Sequence, residues 1–415
     1  MFLRNFPAFG QIPFLLLFSS FLTLSSACSG GNCQVLESCS AANDCAPGLY
    51  CGTCPAANRR QPVCTRGQAN MPASIVSGLP FNKYTWLVTH NAFSNVNAPQ
   101  LPGVQRITFY NQEDTVTNQL RNGVRGLMLD MYDFADDVWL CHSLQGRWTG
   151  NRTLKEVEAF LTANPSEVVT IIIEDYVHAP KGLTRLFANA GLEKYWFPVS
   201  KMPKKGEDWP TVNDMVQQNH RLLVFTSDAS KEEAEGVAYQ WRYMVENESG
   251  DPGMKQGSCP NRKESKKLNS KGASLFLMNY FPSLPVADEA CKENSSPLAD
   301  MAGTCYKEAG NRMPNFVAVN FYMRSDGPGV FDILDRMNGQ SLCSCSTVLA
   351  CQPGSPAGVC KNVPEPVKGP PSTPSFSGSF SGSVQLSGFA PATYHPNILL
   401  ICSFHLSLLL LFLCS

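Results

Sequence analysis

The chain has 415 residues, 43% hydrophobic and 16% charged, with a formal net charge of −1. That length holds one large domain or two medium ones with ample material for a core. The near-zero charge excludes an electrostatic case for nucleic acid, and the charged fraction falls below the ~25% of typical soluble domains partly because both ends of the chain are apolar.

Residues 1–27 read as a secretory signal peptide, with Arg4 in a positive leader, an apolar stretch over Phe14–Leu24 and Ser25-Ser26-Ala27 as a small-residue cleavage site. Residues 28–70 form a Cys-rich N-terminal module too poor in large apolar side chains to build a core without crosslinks. Residues 71–340 alternate apolar and amphipathic runs. A second Cys-rich stretch, 341–363, leads into a Pro/Ser/Gly-rich linker, 364–396, and an apolar tail, 397–415. Small triplets at Ser377–Ser379 and Ser381–Ser383, a polar spacer and a terminal apolar run make the pattern of a GPI-attachment signal. The expected location is therefore the secretory pathway and the extracellular face of the plasma membrane, with a GPI anchor as the membrane tether.

Of 17 cysteines, seven lie in Cys28–Cys64 and four in Cys343–Cys360. In an exported chain that density reads as disulfides rather than zinc, despite the metal-like spacing of Cys51 and Cys54. Removing Cys402 and Cys414 with the tail leaves an odd number, and Cys141 is the expected free, structural thiol. Asn151, Asn247 and Asn294 begin sequons for N-glycosylation.

Within 71–340, strand-length runs occur at Tyr84–Thr89, Val124–Leu129, Val138–Cys141, Val168–Ile173, Leu222–Thr226, Tyr239–Met244, Leu275–Met278 and Phe316–Val319. Helical periodicity falls between most of them, at Asp114–Asn122, Leu154–Leu161, Leu183–Ala190, Thr211–Gln218 and Phe331–Met337. Eight runs alternating with helices fit an α/β fold, a distorted (β/α)8 TIM-type barrel, which typically takes about 250 residues. A doubly wound open sheet is the alternative, disfavoured because no glycine-rich phosphate loop follows the first strand.

The runs end on polar residues: His90-Asn91, Asp130, His142, Glu174-Asp175, Ser227-Asp228, Asn279 and Asn320. In a barrel those ends share the face where active sites form. His90 and His142 suit a divided acid–base task, one taking a proton from a nucleophile and the other protonating a leaving oxygen. Transfer at phosphorus also needs positive charge or a metal on the phosphoryl oxygens, and Asn91, Asp130 and Glu174 offer oxygen ligands of the kind calcium or magnesium accepts.

Thr89-His90-Asn91-Ala-Phe, then Gly123-Val-Arg-Gly-Leu-Met-Leu-Asp130, Val138-Trp-Leu-Cys-His142 and Val168–Glu174 resemble, in order, the X region of phosphatidylinositol-specific phospholipases C. The chain is more similar still to plant GPI-anchored proteins that carry only this X domain, through Met313–Tyr322 and Arg324-Ser-Asp-Gly. The resemblance covers roughly Met71–Asp335. It implies a distorted barrel and a two-step reaction in which the inositol 2-hydroxyl attacks phosphorus, expels diacylglycerol and leaves a cyclic phosphate for water to open. It matches His90 to the base and His142 to the acid, and places Asn91, Asp130 and Glu174 on the Ca2+-ligand positions of the eukaryotic enzymes. The chain departs from that pattern at Met128, where the eukaryotic enzymes have a second acidic ligand, and at Tyr132, where the small bacterial enzymes use an arginine instead of metal. Asp133, Arg242 or Arg324 are candidates to compensate.

Other positions carry less. Arg125 reads as a structural ion-pair partner. Arg242, within Trp241-Arg242-Tyr243, and Asn320 are candidate substrate-binding residues. Lys263–Lys271 with Arg262 makes a basic loop that suits anionic headgroups or plain solvation. The expected partner is a lipid or glycolipid phosphodiester. The rival readings are a non-catalytic binding protein on the same barrel and a glycerophosphodiester phosphodiesterase. The latter would place a carboxylate cluster near the first histidine, where this chain has Asn-Ala-Phe.

Overall fold

The computed structural model describes residues 28–69, 78–96, 110–134, 137–142, 146–327 and 329–339. The signal-peptide, linker, tail and C-terminal cysteine assignments lie outside them.

The N-terminal module is a two-stranded antiparallel hairpin, β1 (Leu49–Cys54) and β2 (Arg59–Arg66). Its interior is a cluster of cysteines, Cys33, Cys39, Cys45 and Cys64, where a larger domain would have aliphatic side chains. Three disulfides, Cys28–Cys33, Cys39–Cys51 and Cys45–Cys64, hold it together. A fourth, Cys54–Cys291, ties it to the barrel, and Cys259–Cys305 crosslinks the barrel itself. Cys51 and Cys54 thus belong to different bridges, and the zinc alternative falls.

The remaining strands are β3 (Trp86–Thr89), β4 (Gly126–Phe134), β5 (Asp137–His142), β6 (Gly146–Thr149), β7 (Val169–Tyr176), β8 (Leu222–Thr226), β9 (Ala238–Tyr239), β10 (Met244–Glu246), β11 (Leu275–Tyr280) and β12 (Phe316–Val319). Eight of them form a curled parallel sheet in the order β10-β11-β12-β3-β4-β7-β8-β9, as the barrel reading requires. Two runs behave otherwise than the sequence suggested. Val138–Cys141 is not a barrel strand but lies in β5, which pairs antiparallel with β4 and then with β6, a lateral excursion between β4 and β7. Tyr239–Met244 is not one strand: β9 and β10 are separated by a helical turn, Gln240–Tyr243. That turn returns the Gln240 and Trp241 side chains onto the Glu246 carboxylate at 2.7 Å each, which an extended chain could not do.

Alternation along the strands separates two cores. Leu127, Leu129, Ile171, Ile173, Val224, Phe276, Met278, Val317 and Val319 face outward, under Leu154, Val157 and Leu161 of the helix Gly150–Ala163 and Leu183 and Leu186 of Gly182–Asn189. Trp86, Val88, Ile172, Leu223, Phe225, Met244, Leu275, Leu277, Phe316 and Ala318 fill the barrel interior, with Met128 against them. Burial on both faces explains the unbroken apolar run of β7. Because side chains alternate with period two, the same inward parity carries upward to His90, Asp130, Glu174, Glu246, Asn279 and Asn320 at the C-terminal mouth. Among the described residues no helix is long and apolar enough to cross a membrane.

Candidate active site

His90 follows β3, and its ring is half-buried in a frame of amides. Its Nδ1 lies 3.0 Å from the Asn320 Oδ1, and Asn111 Nδ2 donates to that same oxygen at 3.1 Å. The Asn320 carbonyl oxygen accepts and lies closer to Nδ1 than Asn111 Nδ2 does (3.3 Å), which favours the tautomer with the proton on Nδ1, and Nε2 as the basic nitrogen faces the Asn91 amide nitrogen at 3.1 Å. The Phe281 ring, just beyond β11, stacks on the imidazole with centroids 3.6 Å apart and planes 4° from parallel. Gln112 Nε2 clamps the strand ends by donating to the carbonyls of His90 (2.9 Å) and Val319 (3.0 Å). Asn91 takes φ of 45°, a left-handed conformation that asparagine tolerates, and this turns its amide back against the ring.

His142 ends β5, with its backbone paired to Gly146. The edge of β4 that accepts β3 at Gly126–Leu127 accepts β5 at Met131–Phe134. β3 climbs that edge towards His90 while β5 descends it towards His142, so the backbone brings the two histidines towards one stretch of β4, Met128–Asp130. The side chains of His142 and Cys141 lie outside what is described.

Asp130 and Glu174 stand directly opposite each other across the β4–β7 ladder. Burial first, and the neighbouring Glu174 charge second, push the Asp130 carboxyl well above the usual carboxylate range, while Arg262 pulls it back. Glu174 Oε1 accepts from the Tyr176 hydroxyl, and the Tyr176 ring stacks on Tyr132 at 4.4 Å. Tyr132 and Tyr176 thus form an aromatic wall beside Glu174.

Arg262 enters the mouth from the loop after β10. Its backbone N–H donates to the Glu246 carbonyl at 3.1 Å, Nη1 donates to Glu246 Oε1 at 3.3 Å and Nε to Glu264 Oε2 at 3.2 Å, and its guanidinium lies 5.4 Å over the Trp241 ring. Glu246 is only 1% exposed, and Asn279 donates to its Oε1 at 2.8 Å. Burial raises the Glu246 carboxyl, and Arg262, Asn279 and Trp241 lower it. The charges of Glu246, Glu174 and Glu264 favour the Arg262 cation against the cost of its burial.

Several expected roles change. Asn320, expected to bind substrate, is buried behind His90 with its Oδ1 on the ring's Nδ1. Arg242 pairs with Glu232 at 3.0 Å. Arg324 is held by Glu113 and Asp288, and Asp133 accepts from the backbone of His178 and Ala179. Asn247 and Asn294 are 0% and 2% exposed, with their amides hydrogen-bonded to backbone partners. Asn151 opens the helix Gly150–Ala163 and is half-buried. Arg125 is the structural ion-pair partner expected, bonded to Glu167 at 2.8 Å.

Asn111, Gln112, Phe281 and Glu246 did not emerge from the sequence. Asn111 and Gln112 lie outside any apolar run, and Glu246 lay just beyond a run misjudged as a single strand.

The donor set does not suit calcium. Calcium takes six to eight oxygens. Here Met128 brings a thioether, Asn91 turns its amide nitrogen to His90, Glu174 already accepts from Tyr176, and a guanidinium shares the field of both carboxylates. Among the described residues, the groups of three His, Cys, Asp or Glu side chains close enough to hold an ion consist of disulfide cysteines, one with Glu37.

The family model described as PI-PLC X 1 matches residues 90–334. An Arabidopsis thaliana protein described as a PI-PLC X domain-containing protein is 68% identical over 417 residues, covering 97% of each chain. An Arthroderma benhamiae protein described as an uncharacterized secreted protein is 25% identical over 271 residues, 58% of this chain and 60% of its own. A solved Staphylococcus aureus phosphatidylinositol-specific phospholipase C aligns over 66% of this chain and 97% of its own, at 14% identity and a TM-score of 0.44.

Proposed function

The chain belongs to the PI-PLC X domain family, and from that premise we propose that it is a phosphodiesterase of the phospholipase C type, acting on a phosphoinositide or a related glycerophosphodiester or glycolipid. The observation that carries this reading is His90. Its imidazole faces the barrel mouth with Nδ1 tied to Asn320, its face covered by Phe281 and Nε2 left as the basic nitrogen. A histidine serving only packing needs no such tautomer lock.

In the proposed reaction His90 Nε2 takes the proton of a substrate hydroxyl adjacent to the phosphate. That oxygen forms the new bond to phosphorus, the bond from phosphorus to the glycerol oxygen breaks, and His142 supplies the proton that the departing oxygen takes up. A cyclic phosphodiester remains, and water opens it by the same transfers in reverse. Fixing the His90 base before substrate arrives removes an orientation cost from the barrier.

The site of action we propose is outside the cell, at a membrane, through the GPI signal read in the tail. Five disulfides support an oxidising compartment, as does the secreted description of one relative. Diacylglycerol release from phosphatidylinositol in detergent micelles by the purified chain tests the activity. A second reading, headgroup binding without cleavage, is favoured by Met128 and Tyr132, and saturable binding with no diacylglycerol released would establish it instead.

A further inference from the structure

We propose that Arg262 supplies the positive charge at the phosphoryl oxygens of this site, doing with a fixed guanidinium what related enzymes do with a metal ion or with an arginine beside the β4 aspartate. The inference rests on the phosphodiesterase reading above and names a catalytic residue within it.

Four observations converge. First, neither known source of charge is present on β4, since Met128 and Tyr132 occupy the two positions. Second, the two arginines that the sequence offered as substitutes are committed elsewhere: Arg242 to Glu232, Arg324 to Glu113 and Asp288. Third, Arg262 is anchored rather than mobile. Glu246 has inward parity at the end of β10 and receives Gln240 and Trp241 on one oxygen and Asn279 and Arg262 on the other. With Nε on Glu264 and Nη1 on Glu246, Nη2 makes no hydrogen bond to another described residue. Fourth, the anchor is continuous with the histidine. Asn279 precedes Phe281 by two residues on the strand that delivers Phe281 to the His90 ring.

The chemistry suits this arrangement. A planar guanidinium with free N–H groups matches two phosphoryl oxygens. Its charge is partly neutralised by buried Glu246, so the buried pair tolerates an empty site, yet the outward edge stays available. Arg262 also interacts with Asp130 and Glu174 across the mouth, so a dianionic transition state held by Arg262 would lie within the same mouth as His90. No bond is made or broken at Arg262. It donates hydrogen bonds to the non-bridging oxygens as charge grows there.

The test uses the full secreted chain, phosphatidylinositol micelles, and the variants Arg262→Gln and Arg262→Lys, each with EDTA and with added calcium. The expected result is wild-type turnover in EDTA, a kcat lower by about 10²–10³-fold in Arg262→Gln, and partial recovery in Arg262→Lys, which retains the charge that Glu246 requires and guards against misfolding. Wild-type turnover that vanishes in EDTA overturns the proposal, as does an Arg262→Gln enzyme within about twofold of wild type. In both cases the phosphodiesterase reading survives. If wild type does not turn over, that reading fails and Arg262 is judged by inositol 1-phosphate titration. Binding at least about tenfold weaker in both variants keeps Arg262 as the phosphate contact, and unchanged binding removes it.

Discussion

Asn320 is where a residue's role departs most from its place in the chain. Its position at the end of an apolar run marked it as a mouth residue, and the inference stopped there, because strand ends do not say whether a side chain meets substrate or another side chain. Asn111, from a segment without periodicity, donates to the same Asn320 oxygen that lies against His90 Nδ1, which supports an orienting role. Asn320→Ala should lower kcat by about 10–100-fold with KM changed less than about threefold, since it loosens the base without touching substrate. Equal losses in both parameters would return Asn320 to substrate binding. Glu293 offers a second single-residue check. Burial, then the charges of Glu289 and Asp251, push its carboxyl up from 4.5 to about 7. The folded chain therefore holds a proton there that the unfolded chain releases, so this group favours folding least above pH 7 and most below 4.5. Glu293→Gln should raise stability at pH 8 by on the order of 1 kcal/mol, screening included, and leave it unchanged at pH 4. Denaturant melts at the two pH values would show it, and an equal shift at both would contradict the titration.

At the scale of elements, the parallel strands were legible because burial on two faces writes unbroken apolar runs, as in Val169–Ile173. The excursion β5–β6 was half legible. Val138–Cys141 has strand composition, but nothing local distinguishes an antiparallel arm from a barrel strand, and that choice rests on which edge of β4 is vacant above β3. The division of β9 from β10 was hidden for another reason: Trp241 and Tyr243 have strand propensity, and the satisfaction of buried Glu246 overrides it. Gly126 shows how tightly β3 and β4 meet beneath His90. A Cβ there would stand 2.5 Å from Val88 Cγ2, with the other Val88 atoms at 3.2 Å, so the strands would have to part. Gly126→Ala should cost about 1–3 kcal/mol in urea unfolding and, by shifting β3, lower kcat more than a surface control of equal stability. Wild-type stability would mean the β3–β4 contact is looser than described.

Across the whole molecule, the sequence conveyed the plan of a crosslinked module ahead of a barrel, and the resemblance conveyed the pair of histidines proposed to act on substrate. The join between module and barrel was not readable, because disulfide partners far apart in sequence leave no local trace. Cys54–Cys291 spans 237 residues, and Arg59–Asp326 and the Arg66 pairs with Asp332 and Asp335 fix the module beside the strand β12 end of the barrel. The module thus braces the segment after Asn320, where Tyr50 donates to the Met323 carbonyl at 2.5 Å. The cation source was equally unreadable: Arg262 looked like one charge in a basic loop until Glu246 singled it out.

These scales meet at one phosphorus atom, and 31P NMR of phosphatidylinositol micelles during turnover addresses it most directly. The expected record is a five-membered cyclic inositol phosphate appearing with wild type, and its rate falling by about 10²–10⁴-fold in His90→Ala and in His142→Ala separately. Direct formation of an open inositol phosphate with no cyclic precursor, or undiminished cyclic product from either variant, would contradict the paired-histidine account.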